Sequence, residues 1–173
     1  DVFFALTHIN SSSATGPDGL PGHLLKKLAP QITSNITEIF NASVSQAHFP
    51  NEWKKANITA IYKHKGSKDD PSNYRPNSVL PVLGRTLEKL IANQLQNYCD
   101  ASSIIPVEQF GFRKKSSCEM ALLSSVDRWY GAIDSGQMVG TLLLDLSKAF
   151  DSISHNQLLV ELQKIGCSCH VVH

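Results

Sequence analysis

Asp145 is the side chain whose placement in the sequence says most about chemistry. It closes the run Met138-Val139-Gly140-Thr141-Leu142-Leu143-Leu144, so a carboxylate stands at the end of a nearly all-apolar segment. An unpaired charge in such surroundings is costly, and a bound cation is one way to offset it. Strand ends in α/β sheets are also where ligands gather. A second acid, Asp151, lies further on. Two metal ions ~3.5–4 Å apart normally need more than one carboxylate, so as a metal site the segment alone is suggestive and incomplete. The same spacing also allows Asp145 to cap a helix or to pair with Lys148.

Cations form the second group. Between Glu52 and Arg75 there are six Lys/Arg (Lys54, Lys55, Lys63, Lys65, Lys68, Arg75) against three acids, and Arg113-Lys114-Lys115 has no adjacent acid. On a chain of net charge +1 such clusters suggest local phosphate contacts, although a solvated loop is the commoner meaning of any one of them. Four cysteines are too few and too unevenly spaced for a disulfide framework, which implies a reducing, intracellular compartment. The tail Cys167-Ser168-Cys169-His170-Val171-Val172-His173 offers soft ligands. Its two cysteines are separated by one residue where structural zinc sites use two to four, so an interrupted helical segment is preferred there.

The elements that would position these groups follow from periodicity. With 173 residues, 42% hydrophobic and 18% charged, the chain is an ordinary globular one of roughly one domain. No run approaches the ~18 apolar residues of a membrane span. Gly16-Pro17-Asp18-Gly19 is a turn. A short helix through Leu24, Leu25 and Leu28 is expected to stop at Pro30, and a second, 31–47, carries Ile32, Ile36, Ile39, Phe40 and Val44 at helical spacing. Residues 56–62 alternate as a strand, followed by a hairpin loop over 63–73. Helices are expected at 82–98, at 117–134 and, capped by Ser154, for about ten residues beyond it. The apolar run 138–145 is expected to be a strand buried on both faces. The start Asp1-Val2-Phe3-Phe4 reads as a cut end, without a signal peptide.

The string Leu144-Asp145-Leu146-Ser147-Lys148-Ala149-Phe150-Asp151 resembles the first catalytic motif of LINE-like reverse transcriptases, the polymerases of non-LTR retrotransposons. Asn73-Tyr74-Arg75-Pro76-Asn77-Ser78 resembles the family's Y-R-P-I-S segment, Gln109-Phe110-Gly111-Phe112-Arg113 its Q-F-G-F-R, and Gly16-Pro17-Asp18-Gly19 its G-P-D-G. The four occur in the family's order, and the jockey-like branch is the nearest in wording.

The resemblance implies an α+β fold, the fingers (1–135) and the incomplete start of the palm (136–173) of a right-handed polymerase. It implies copying of RNA into DNA by two-metal nucleotidyl transfer with Mg2+, an RNA template, a DNA primer and deoxynucleoside triphosphates. Asp145 would hold catalytic magnesium, and Phe150 would lie under the incoming sugar. Arg75 would grip the triphosphate bidentately, aided by Lys63 in preference to Lys65. Gln109, Gly111 and Arg113 would guide the template. Asp151 would be structural.

Departures accompany the likeness. Asn77 brings an amide to a place expected to be packed, and Lys115-Ser116-Ser117-Cys118 replaces the family's G-R-S-T stretch. The second palm motif and the A-D-D hairpin are expected beyond the residues present, so the chain alone is expected to be inactive and to need the remainder of the polymerase. A strand left with an unpaired edge would also make it poorly soluble. Alternatives are a non-catalytic nucleic-acid-binding relic or domesticated fragment, a group II intron maturase, and a phosphoryl-transfer enzyme with Asp145 as nucleophile. That last class wants a second Asp where Ser147 stands.

Overall fold

A computed structural model describes residues 1–146, 149–150 and 152–167. Helices and a small sheet alternate in the order α1 (Val2–Thr7), α2 (Gly22–Ser45), β1 (Asn57–Tyr62), β2 (Tyr74–Val79), α3 (Val82–Ala101), α4 (Cys118–Asp134) and α5 (His155–Lys164). The mixed α and β content agrees with the sequence. The described residues divide into two compact units: 1–96 with 162–167, and 97–161.

The first unit holds the core. Leu6, Ile9, Leu25, Ala29, Ile36, Phe40, Val82, Leu83 and Leu87 form one buried cluster, with Phe49 and Trp53 packed against it. Pro30 does not end a helix, contrary to the pattern of the sequence: α2 runs through it. A mid-helix proline costs about 3 kcal/mol. Leu25 and Ala29 before it and Ile36 and Phe40 after it share one buried face, and keeping that face continuous outweighs the lost backbone bond. Helix α1, unforeseen in the sequence, contributes Leu6, which is fully buried.

The Gly16–Gly19 turn closes with the Gly19 N–H donating to the Gly16 carbonyl at 3.1 Å. The Asp18 carboxylate accepts from the Leu20 N–H. Gly16 lies so close to the start of α3 that a Cβ there would stand 2.5 Å from Pro81 N and 2.8 Å from the Leu80 carbonyl carbon. Arg85, one turn into α3, donates to the Ala14 carbonyl at 2.8 Å, so the motif is fastened from both sides.

In the second unit, Ser117 caps α4 by accepting from the Met120 N–H, and Ser154 caps α5 by accepting from the Gln157 N–H. No residue of α4 is buried. Residues 138–145 form no strand, and Leu142, Leu143 and Leu144 are each at least 80% exposed. A strand buried on both faces needs ladder partners, and among the described residues the only sheet is the β1–β2 pair.

Candidate functional site

The β1–β2 hairpin displays the first set of candidate residues. The strands pair antiparallel with Ile61 opposite Arg75, Tyr62 opposite Tyr74 and Ala60 opposite Pro76. Side chains alternate across a strand. Ile58, Ala60, Tyr74 and Pro76 therefore share one face, where they line a pocket of about 390 Å³ with Lys68, Asp69 and Pro71 from the loop. Arg75 lies on the opposite face, exposed, and its guanidinium has no internal partner among the described residues. Asn77 is also exposed on β2. The expectation of a packed amide is thus corrected, because water satisfies it.

The connecting loop is built by its own polar groups. The Lys63 N–H donates to the Asn73 carbonyl at 2.7 Å, and the Asn73 amide donates to the Ser67 carbonyl at 2.8 Å. The Tyr74 hydroxyl donates to the Lys68 carbonyl at 2.9 Å. Gly66 has φ +79, and a Cβ there would meet the Asn73 side chain, so this turn excludes larger residues. The Lys63 ammonium donates to the Ser72 carbonyl at 2.6 Å, which fixes its charge at the hairpin tip. Hydrogen bonds from Ser72, first its side chain and then its backbone N–H, hold the Asp70 carboxyl below its ordinary value, with the Lys63 charge a smaller cause.

The second set belongs to the other unit. Arg113 is half-buried: it forms an ion pair with Asp100 at 3.5 Å and donates to the Pro106 carbonyl at 3.0 Å. It thereby ties the 106–113 loop to the end of α3. Gln109 donates to the Gly111 carbonyl at 3.4 Å, and a Cβ on Gly111 would meet nothing. Asp145 and Phe150 are both exposed. The Phe150 ring meets Phe112 edge-to-face, centroids 5.9 Å apart and planes at 90°. The sequence names Phe112 only as part of the Q-F-G-F-R string and gives it no role. Its outward direction follows from a backbone φ of +59°, which no residue type announces.

Among the described residues no group of three or more His, Cys, Asp or Glu could hold a metal ion. Asp145 contributes a single carboxylate. Asp151, Ser147 and Lys148, and Cys169, His170 and His173 of the tail, lie outside the described residues. No helix of the described residues is long and apolar enough to cross a membrane. An apolar cleft of about 940 Å³ in the first unit is lined by Phe40, Phe49, Leu87 and Leu90 among others, with Lys54 of the cation cluster at it.

Residues 61–173 match the family described as reverse transcriptase (RNA-dependent DNA polymerase). The chain is 34% identical over 164 residues to a probable RNA-directed DNA polymerase from transposon X-element of Drosophila melanogaster, covering 95% of this chain and 18% of that relative. It is 33% identical over 152 residues to the RNA-directed DNA polymerase from mobile element jockey of the same species, 88% of this chain and 17% of the relative. A third relative, a probable RNA-directed DNA polymerase from transposon BS, is 28% identical over 165 residues, 95% of this chain and 18% of its own length. The chain thus spans less than a fifth of these curated relatives.

Proposed function

Because the chain belongs to the reverse transcriptase family, we propose that it is part of an RNA-directed DNA polymerase that copies retrotransposon RNA into DNA. In this reading residues 1–135 serve as fingers and 136–173 begin the palm of a right-handed fold. The partners are an RNA template, a DNA primer, deoxynucleoside triphosphates and the remainder of the polymerase.

The observation that carries the reading is the hairpin. It holds Arg75 exposed on one face, with a guanidinium that nothing inside the described chain engages. A planar fork of donors left open suits phosphate oxygens. Lys63, one donor already spent on Ser72, adds a fixed positive charge near the loop. Asp145 would supply one oxygen ligand to Mg2+, and the metal would supply the charge stabilisation of a two-metal displacement. Phe150 would exclude the 2′-hydroxyl by occupying its space. Gln109, Gly111 and Arg113 would shape the loop that tracks the template.

Among the described residues a lone carboxylate supports at most part of a two-metal centre, so the chain by itself is proposed to be inactive. Primer extension on an RNA template with magnesium tests both parts. The isolated chain is expected to yield no product, and robust synthesis lost in Asp145→Asn would overturn the inactivity. The family role predicts that Arg75→Ala weakens triphosphate binding while Arg75→Lys restores only part of it, and equal binding in all three proteins would count against it. The Lys115-Ser116-Ser117-Cys118 stretch, which stands where the family has G-R-S-T, also suits a non-catalytic nucleic-acid-binding relic. Salt-dependent RNA binding without synthesis, even when the rest of the polymerase is supplied, would favour that reading.

A further inference from the structure

Phe112 is the most exposed aromatic ring among the described residues, at 89%. Its φ of +59° is an outlier for a bulky side chain, of the kind that persists only where the surroundings enforce it. Those surroundings are visible on both sides. The Gln109 N–H donates to the Pro106 carbonyl at 3.1 Å, and Arg113 bonds the same carbonyl and Asp100. The loop is thus fixed with the ring turned outward. Phe150 meets the ring at right angles on one side, and Phe112 remains 89% exposed.

Lys114 and Lys115 follow after Arg113. Both are exposed, and neither ammonium meets a carboxylate among the described residues. An open aromatic face beside two unneutralised cations is the chemistry of single-stranded nucleic acid, in which a base stacks on the ring and phosphates meet the ammonium groups. A duplex offers no unstacked base to the ring. We propose that Phe112 is a base-stacking residue for single-stranded nucleic acid, braced by Phe150 and flanked by Lys114 and Lys115 as phosphate contacts. The proposal rests on the polymerase reading above and adds a residue that the motif comparison leaves without a role.

The test uses the whole chain and a short single-stranded RNA carrying 2-aminopurine, titrated at several salt concentrations. Phe112→Gly removes the ring while suiting the positive φ, and Phe112→Leu removes stacking while keeping apolar bulk. Both are expected to weaken binding roughly 5- to 150-fold with the salt slope unchanged. Lys114→Ala with Lys115→Ala is expected to reduce the slope by ~1.4. If the Phe112 variants bind like the parent, with salt dependence intact, the stacking role is overturned and the polymerase reading stands. A parent chain that binds duplex RNA as tightly as single-stranded RNA, with no change in the 2-aminopurine signal, overturns it equally. A parent chain that binds no RNA even at low salt overturns both the stacking role and the template contacts.

Discussion

Replacing Gly16 by Ala should be one of the most damaging single-methyl changes available in the first unit. The added Cβ would lie 2.5 Å from Pro81 N and 2.6 Å from Pro81 Cα, where carbon contacts normally begin near ~3.5 Å. Both are backbone atoms at the start of α3, and Pro81 is fully buried, so no flexible side chain can yield. Either the turn or the helix start must move by about 1 Å, an overpacking that costs ~1–3 kcal/mol. Such a shift also threatens the Arg85 bond to the Ala14 carbonyl. Losing that exposed bond would add ~0.5–1.5 kcal/mol. The expected total is about 2–4 kcal/mol, a urea midpoint lower by roughly 1–2 M with unchanged slope, followed by far-UV circular dichroism. Gly19→Ala is the control. Its Cβ would meet nothing within 4 Å, but its φ is +69°, which costs ~1–2 kcal/mol. If Gly16→Ala lies within about 0.5 kcal/mol of the parent, or costs no more than Gly19→Ala, the close-approach argument is wrong.

Phe40 is only 3% exposed and presents its ring edge-to-face to Trp53 at 5.7 Å. Phe40→Ala is expected to destabilise by ~3–5 kcal/mol and to shift Trp53 emission to the red. A loss under about 1 kcal/mol would mean that the site collapses freely. The Asp70 carboxyl is held below its ordinary value by Ser72, so its contribution to the hairpin loop is complete above the ordinary aspartate range and fades as pH falls through the lowered value. Protection of the Ser72 amide, taken against its intrinsic exchange rate at each pH, should fall in that acid window, and Asp70→Ala should abolish the dependence; an acid response unchanged in that variant would point to another group.

The helices with clean starts and stops were legible in the sequence. Ser117 and Ser154 bond the first turns they precede, and the alternation over 56–62 became β1 (Asn57–Tyr62). Local rules failed where a distant surface decided. Pro30 reads as a stop, but the face from Leu25 to Phe40 is buried along its whole length. The run 138–145 reads as a strand because composition reports only that residues want burial, whereas a ladder requires a partner that composition cannot supply. For the candidate site, the motif wording singled out Arg75 and Asp145 as expectations, while the engagement of Arg113 by Asp100 and the positive φ of Phe112 arise from backbone geometry. The tight approach of Gly16 to Pro81 had no local signal, since the two residues are distant in sequence.

The register of the hairpin has a consequence for how this protein can change in length. Because side chains alternate strictly, deleting one residue inside β1 or β2 would carry everything beyond it to the opposite face, and Arg75 would trade places with its neighbours. Residues added between Lys63 and Asn73 would leave that alternation untouched, and enlarging a surface loop adds little entropy, about 0.6 kcal/mol per doubling. Insertions and deletions among descendants of this sequence should therefore collect at the hairpin tip and be purged from its two strands.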